Sequence, residues 1–356
     1  MTGLEALRAT CSRSLGGHGP VRPADLLATI PADTAVDRYG EGGVVAELET
    51  EVAGLLGMPA ALYLPSGTMA QQAVLRVHAD RRGRRTVLFH PTCHLDVRED
   101  RALERLHGLV GRPVGDPHAL LTVEDLAAVA EPVAALVLEL PQRDLGGQLP
   151  SWQDLQTQVA WARDRGAAAH LDGARLWEAA AGYGRPPAEV AGLFDNAYVS
   201  FYKGIGALAG CCLAGPVDVV AEVAEWRQRM GGMLFGLWPG AASALTLLRR
   251  RWPLMPAYLE HARAIASALQ DVPGVQVLPD PPQTSMLHLL LTTTADAFTA
   301  AATELAERDG LWTWPGSTAT GVPGVRFVEL SIGDATLALS PEQVREIVVR
   351  LVGADR

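Results

Sequence analysis

The feature that most constrains this chain is a pair of apolar runs, each of which ends in a single charged residue. The first run, residues 167–171, ends in Asp172, and the second, residues 197–202, ends in Lys203. Each charge stands where a buried strand would stop, and ligands of an open parallel α/β sheet bind outside the carboxyl ends of its strands. We therefore expect an acid and an amine to converge on one ligand.

Lys203 is the only lysine in the sequence, since the other 29 of the 30 basic residues are arginines. A surface lysine is normally one of many interchangeable solvated charges. A single lysine among glycine, aromatic and apolar residues instead indicates a chemical role. The alternative is that Lys203 has no chemical role and is present by chance in a composition that favours arginine.

A candidate anion site follows an earlier apolar run. Residues 60–64 read as a strand, and Ser66, Gly67 and Thr68 precede a helical pattern that continues to about residue 80. Backbone N–H groups at the N-terminus of a helix, together with hydroxyl groups, can hold a phosphate. Ser66 could equally be a plain helix cap.

An acid, an amine and a phosphate cradle are together what pyridoxal 5′-phosphate (PLP) requires. This cofactor acts as an electron sink when a carboxylate keeps its pyridine nitrogen protonated, and a lysine holds it as a Schiff base. PLP is therefore the expected cofactor, with Asp172 and Lys203 as its partners.

Three more residues are candidates for the same site. His94 follows a predicted strand and could lie on the cofactor ring or act in acid–base chemistry. Arg175 comes three residues after Asp172 and could point at the same ligand or be a solvated helix charge. Arg326 interrupts an apolar strand, where a cation needs a partner. A substrate carboxylate is favoured there over an ion pair with Glu329 or another acid.

Composition and cysteine usage exclude several classes of protein. The net charge of −10 disfavours nucleic acid and anionic membranes as partners. The sequence shows neither a signal-peptide pattern nor an uncharged span of about 20 apolar residues, so we expect a cytoplasmic protein. The four cysteines show no metal-type spacing. His90 and His94 are four residues apart but lack further acid and histidine ligands, so no metal site is expected.

The order of predicted elements indicates an α/β domain followed by a smaller α+β domain. We expect an N-terminal arm over residues 1–20, a large domain over residues 21–250 and a small domain over residues 251–356. Predicted strands of the large domain are residues 60–64, 86–90, 132–140, 167–171, 197–202 and 207–214. In the small domain they are residues 275–278, 285–291, 311–314 and 325–332. A long helical stretch, residues 241–269, should break near its prolines, and the apolar loop 230–240 predicts a subunit interface.

Taken together, these segments resemble the threonine aldolase and β-eliminating lyase family of fold type I PLP enzymes. The resemblance is carried by Tyr39-Gly40-Glu41, residues 65–70, His94 with Glu99, and residues 170–175, 203–206 and 325–328. It implies an aspartate aminotransferase-like large domain with a mainly parallel seven-stranded sheet. It also implies a homotetramer built as a dimer of dimers and an amino acid as the small-molecule substrate.

The resemblance assigns roles to individual residues. The implied catalytic residues are Lys203 as the Schiff-base lysine, His94 stacked on the ring, and Asp172 at the pyridinium nitrogen. The implied cofactor contacts are Ser66, Gly67, Thr68, His94, Asp172, Arg175, Ser200 and Lys203. The implied substrate contacts are Arg175, Arg326, Tyr39 and Gln142.

Three departures from the family pattern bear on the substrate. Tyr202 stands where the family has a serine before the lysine, and the nearest serine is Ser200. Residues 140–143, which include Gln142, replace an Asn-Thr-His sequence whose histidine lies near the substrate hydroxyl. Residues 233–235 replace an arginine and a glutamine that reach the neighbouring subunit.

The expected activity is retro-aldol cleavage of an L-3-hydroxy-α-amino acid, of the threonine or allo-threonine type, to glycine and an aldehyde. One alternative is β-elimination from, or an aldol-type reaction on, a specialised amino acid. Another is a catalytically silent protein with the same fold. The sequence leaves open the side chain that is accepted and the stereochemistry at Cβ.

Overall fold

The computed structural model describes residues 3–19 and 22–353, which divide into two compact units. The large unit comprises Leu26–Asp144 and Leu149–Pro253. The small unit combines the described residues up to Asp25 with Leu145–Gln148 and the chain from Leu254 onward. Residues 1, 2, 20, 21 and 354–356, which belong to the expected arm and domains, lie outside the described residues. The domain limits expected at 20/21 and 250/251 stay a prediction.

The large unit is built on a seven-stranded sheet. Its strands are β2 (Ala60–Leu64), β3 (Thr86–Phe89), β4 (Val110–Pro113), β5 (Val133–Glu139), β6 (Ala168–Gly173), β7 (Asn196–Ser200) and β8 (Cys211–Gly215). They follow the order β2-β8-β7-β6-β5-β3-β4. Every pairing is parallel except the two made by β8. The expectation of a mainly parallel seven-stranded sheet is therefore confirmed.

The pairing pattern fixes the direction of every strand. Because β8 is antiparallel to both β2 and β7, β2 runs in the same direction as β7 and the other parallel strands. The carboxyl ends of β2, β3, β5, β6 and β7 thus lie along one edge of the sheet. The segments that follow these strands contain most of the residues predicted for the site.

Helices of the large unit connect and cover the strands. They are α3 (Gly43–Leu56), α4 (Gly67–Arg82), α5 (His94–Val97), α6 (Ala102–His107), α7 (Val123–Ala127), α8 (Trp152–Asp164), α9 (Leu176–Tyr183), α10 (Pro187–Ala191), α11 (Val217–Arg229) and α12 (Trp238–Arg251). Their ends follow local chemistry. Gly57 ends α3 in the left-handed conformation, and Ser151 caps α8 by accepting a hydrogen bond from the Asp154 N–H.

The core of the large unit lies where α4 and α11 pack on the sheet. Fully buried members include Leu64 of β2, Val74 of α4, Ala135 of β5, Leu213 of β8 and Val223 of α11. Strands buried on both faces read as continuous apolar runs. This is why the runs in the sequence predict the strands well.

The small unit is an α+β arrangement. It contains α1 (Gly3–Thr10), β1 (Arg13–Ser14), α13 (Met255–Leu269), β9 (Val275–Leu278), β10 (Met286–Thr292), α14 (Ala295–Asp309), β11 (Leu311–Trp312), β12 (Thr318–Ala319), β13 (Val325–Ser331), α15 (Asp334–Leu337) and α16 (Pro341–Val352). A four-stranded antiparallel sheet has the order β12-β13-β10-β9. The short helix α2 (Pro23–Leu27) spans the limit between the two units.

Two predicted strands differ from those observed, and the predicted break in the long helical stretch is confirmed. The strand predicted at residues 207–214 begins only at Cys211, because residues 201–210 form the loop that contains Lys203. The strand predicted at residues 311–314 is the two-residue β11, and it pairs with β1 of the N-terminal segment. The predicted long helical stretch is divided by a 3₁₀ turn over Trp252–Leu254, which contains Pro253.

No helix among the residues that the structure describes is long and apolar enough to cross a membrane.

Candidate active site

The structure brings the acid and the amine predicted for the site to one edge of the large sheet. Asp172 is the penultimate residue of strand β6, and Lys203 is in the loop after β7, the neighbouring parallel strand. Asp172 is almost fully buried, and its Oδ1 accepts a hydrogen bond from the Ala174 N–H at 3.1 Å. Ser200 ends β7, and its hydroxyl donates to the Ala174 carbonyl at 2.7 Å. One backbone turn thus orients both side chains.

Burial lowers the pKa of Lys203, and the nearby Asp172 carboxylate opposes this effect. Desolvation is the larger contribution, so the neutral amine is favoured more than in a solvated lysine. The ammonium nitrogen lies 5.8 Å from the centre of the Tyr202 ring. A lysine with a lowered pKa has the nucleophilic form available nearer neutral pH.

The predicted phosphate cradle begins α4, directly after β2. Ser66 is the N-cap, and its Oγ accepts a hydrogen bond from the Met69 N–H at 3.3 Å. A Cβ atom on Gly67 would lie 2.1 Å from the Tyr198 Oη, so only glycine fits at this position. The first N–H groups of a helix have no partner within the helix. A glycine whose backbone must stay uncovered there suits a phosphate ligand.

His94 begins α5 after strand β3, and a carboxylate network orients it. Its Nδ1 is 3.0 Å from the Glu99 Oε1, while the Gln72 Nε2 donates to the Glu99 Oε2 at 2.8 Å. The Glu99 side chain is 1% exposed and that of His94 39% exposed. The buried carboxylate therefore holds the Nδ1–H, and Nε2 is left for a ligand.

Glu139 is a residue of this site that the sequence analysis did not single out. It is the last residue of β5 and pairs in register with Asp172. The Cys93 thiol and the two carboxyl groups have ligand atoms within 4.8 Å of one another. Burial, followed by repulsion from Asp172, raises the pKa of Glu139 to about 8. The signal was present in the sequence, because Glu139 ends an apolar run as Asp172 does.

Gln142 is buried in the loop after β5. Its Nε2 donates to the Thr92 Oγ1 at 3.0 Å and to the Glu139 Oε2 at 3.3 Å. The amide N–H groups are thus used within the large unit, and a substrate contact by Gln142 stays a prediction.

Two other candidates also belong to the large unit. Arg175 precedes α9, is half-buried, and its charge lowers the pKa of Lys203. Tyr39 is 52% exposed with a left-handed backbone (φ 54°), and its N–H donates to the Phe235 carbonyl at 3.0 Å. Their predicted roles in ligand binding stay predictions.

Arg326 belongs to strand β13 of the small unit. Its Nε donates to the Ser317 Oγ at 3.0 Å, and its Nη2 donates to the Ser317 carbonyl. The guanidinium is therefore held by the adjoining strand segment, and the predicted carboxylate contact stays a prediction.

The donor set fits PLP. An aspartate and a lysine at neighbouring strand ends, a glycine that must lack a Cβ at a helix N-terminus, and an oriented histidine are what the cofactor's ring nitrogen, aldehyde, phosphate and ring face require.

Comparisons with known proteins agree with this assignment. Residues 24–292 match the model of the beta-eliminating lyase family. A low-specificity L-threonine aldolase of Arabidopsis thaliana is 27% identical over 280 residues, which cover 75% of this chain and 78% of the relative.

Two solved structures cover 99% of this chain and 99% of their own chains, each with 36% identity and a TM-score of 0.92. One is a candidate aromatic amino acid beta-eliminating lyase/threonine aldolase from Exiguobacterium sp. 255-15. The other is a candidate L-allo-threonine aldolase from Listeria monocytogenes EGD-E.

The fold and the site define a PLP-dependent lyase of fold type I. Within that class, the chain belongs to the beta-eliminating lyase family.

Proposed function

We propose that the protein is a PLP-dependent aldolase that cleaves an L-3-hydroxy-α-amino acid of the threonine or allo-threonine type to glycine and an aldehyde. The observation that carries the proposal is the placement of Asp172 and Lys203 at the carboxyl ends of neighbouring parallel strands. Similarity to a low-specificity L-threonine aldolase and to a candidate L-allo-threonine aldolase supports this substrate class.

We assign the roles of the chain's own residues as follows. Lys203 holds the cofactor covalently, Asp172 keeps the ring nitrogen protonated, and Ser66, Gly67 and Thr68 bind the phosphate. When bound, PLP supplies the electron sink that accepts the electron pair of the broken Cα–Cβ bond. Arg175 and Arg326 hold the substrate carboxylate, Tyr39 and Gln142 lie along the substrate, and Ser200 lies against the cofactor.

His94 is the proposed base that removes the proton of the substrate's 3-hydroxyl group, directly or through a water that it orients. The Glu99 carboxylate fixes the Nδ1–H of His94 at 3.0 Å, so Nε2 can accept the proton. The positive charge that develops on the His94 imidazole is stabilised by the Glu99 carboxylate, whose side chain is only 1% exposed.

The first experiment tests the cofactor. Purified protein should be yellow, and Lys203→Ala should lose the absorption band of the covalently held cofactor. Lys203 is the only lysine in the sequence, so borohydride reduction of the wild type should label this residue and no other side chain. An unchanged spectrum in Lys203→Ala would contradict the assignment.

The second experiment tests the reaction. L-threonine and L-allo-threonine are each incubated with the enzyme, and glycine with acetaldehyde is measured against ammonia with a keto acid. Aldol cleavage predicts the first pair of products. The family and the similarity to a beta-eliminating lyase/threonine aldolase make β-elimination the second candidate, and it predicts the other pair. A spectrum that no amino acid changes would indicate a catalytically silent protein.

We further propose a cytoplasmic homotetramer, built as a dimer of dimers, with loop 230–240 at an interface between subunits. Support comes from an exposed apolar surface on this loop: Leu234 is 50% exposed and Phe235 is 67% exposed. Light scattering of the wild type and of Phe235→Glu measures the assembly. A wild-type monomer would contradict it.

A further inference from the structure

Two carboxyl groups meet at the base of the site, and no basic side chain among residues 3–19 and 22–353 forms a hydrogen bond with either. Glu139 and Asp172 are paired in register on β5 and β6, and their oxygens lie within 4.8 Å of each other and of the Cys93 sulfur. Two ionised carboxylates at this separation, with Asp172 buried and Glu139 partly buried, repel each other strongly. The pair therefore needs a proton or a cation.

A chain of hydrogen bonds fixes the orientation of Glu139. The His90 Nε2 lies 2.9 and 2.8 Å from two backbone carbonyl oxygens and must donate to them. The Thr92 N–H points at the His90 Nδ1 at 3.2 Å, so Nδ1 accepts and the ring is neutral. The Thr92 hydroxyl lies 2.9 Å from Nδ1 and accepts a hydrogen bond from the Gln142 Nε2 at 3.0 Å.

The second N–H of the Gln142 amide reaches the Glu139 Oε2 at 3.3 Å, and the Arg143 backbone N–H donates to the Glu139 Oε1 at 3.2 Å. Each oxygen of Glu139 thus receives one N–H group. Both contacts are long for a hydrogen bond to an ionised carboxylate, which is normally shorter. Each oxygen has two lone pairs, so one remains on either oxygen for a carboxyl proton.

The charges around Glu139 do not favour ionisation of both carboxyls. Asp172 on β6 is the neighbouring acid, the Cys93 thiol before α5 lies beside the pair, and Lys203 and Arg175 are the cations, while Arg143 contributes its backbone N–H. Attraction to Lys203 and Arg175 favours the ionised form of Glu139, but burial and the Asp172 charge outweigh it. Asp172 in turn accepts a backbone N–H at 3.1 Å, which fixes the orientation of its carboxyl group.

We propose that Glu139 and Asp172 share one proton at neutral pH, that the proton resides on Glu139, and that Glu139 thereby positions Asp172 as the ionised carboxylate of the site. This inference rests on the proposed function for the use of Asp172 at the cofactor nitrogen. Glu139 is a positioning residue, because it acts through Asp172. When Glu139 is neutral, the only negative charge of the pair is that of Asp172, which is enough to pair with one protonated ring nitrogen of the cofactor.

The test is infrared difference spectroscopy of the purified full-length protein, wild type minus Glu139→Gln, over pH 6 to 10. A protonated carboxyl has a C=O band that is distinct from carboxylate bands and shifts in D₂O. The wild type should show this band at neutral pH and lose it with a midpoint near pH 8. The matched control is Glu131→Gln, which removes a glutamate that is ion-paired to Arg112, and its spectrum should show only the loss of a carboxylate.

Asp172→Asn distinguishes a Glu139 that keeps its proton because of the Asp172 charge from a Glu139 that keeps it through burial alone. Removing the Asp172 charge should lower the midpoint of the Glu139 band by about one pH unit or more, since repulsion between like charges contributes to its position. The same shift serves as the test if Glu139→Gln fails to fold.

A wild type without the band at neutral pH overturns the proposal, as would occur if a bound cation kept both carboxylates ionised. A midpoint that Asp172→Asn leaves unchanged overturns the coupling. Neither measurement requires bound PLP, so a protein that failed the Lys203→Ala test could still pass this one, and the two failures are distinguishable.

Discussion

Replacing Gly67 with alanine should destabilise the protein and weaken its affinity for PLP. The added Cβ would stand 2.1 Å from the Tyr198 Oη and 2.6 Å from its Cζ. Ordinary contact begins at 3.4 Å, so the hydroxyl must retreat by about 1.3 Å, the difference between 3.4 and 2.1 Å. Tyr198 is 1% exposed on the buried strand β7, so its rigid ring is closely packed by its neighbours. Overpacking of this kind costs about 1–3 kcal/mol.

Urea denaturation measures the loss, which is the shift in midpoint multiplied by the common slope. Gly54→Ala is the matched control, because no heavy atom lies within 4 Å of the Cβ that this exposed glycine of α3 would gain. That change should stabilise the helix by up to about 1 kcal/mol. Tyr198→Phe should rescue Gly67→Ala only in part, since the ring Cζ stays too close. The reasoning is refuted if Gly67→Ala matches the wild type in both midpoint and PLP affinity.

Three further predictions follow from other contacts. Glu99→Gln should fold, because Gln72 can turn its buried and unpartnered Oε1 toward the new amide, and it should lower kcat by about tenfold or more, because the Nδ1–H of His94 loses the carboxylate that stabilises the charge on the imidazole during proton transfer. Lys203→Met should stabilise the apoprotein in thermal melts near neutral pH, because burial lowers the pKa of Lys203 and its charged form therefore destabilises the folded chain. This gain in the free energy of unfolding should shrink as pH rises from the lowered pKa toward 10.5. Ser340→Ala should cost about 0.5–2 kcal/mol, because it removes the capping box of α16 formed with Gln343.

The sequence predicts the sheet and the ends of its central strands because these strands are buried on both faces. A continuous apolar run such as residues 133–138 can be nothing but core, and the polar residue that follows must leave it. Asp172 and Lys203 could therefore be assigned to strand ends, and the family and fold inferred from them are confirmed. The short strand β11 was overestimated because its length is set by β1, a partner about 300 residues away in sequence.

Contacts between side chains distant in sequence could not be predicted. The Oη of Tyr198 excludes a Cβ from Gly67, yet nothing near either residue in the sequence indicates the contact. Arg326 was expected to need an acid or a ligand, but Ser317 supplies a hydroxyl and a carbonyl through a turn that brings β12 beside β13. Such pairings depend on register, which a single strand's composition does not specify.

The electrostatics of the site follow from burial more than from the count of charges. Near Lys203 stand two acids, Asp172 and Glu139, and a simple pairing argument would raise the pKa of the amine. Desolvation outweighs them and lowers it, while the same desolvation raises the pKa of Glu139. Both Lys203 and Glu139 are thus shifted toward their neutral forms. When one of them is neutral, it no longer stabilises the charged form of the other. Asp172 is held in place by a backbone N–H, and the neutral amine is the state in which Lys203 can act as a nucleophile.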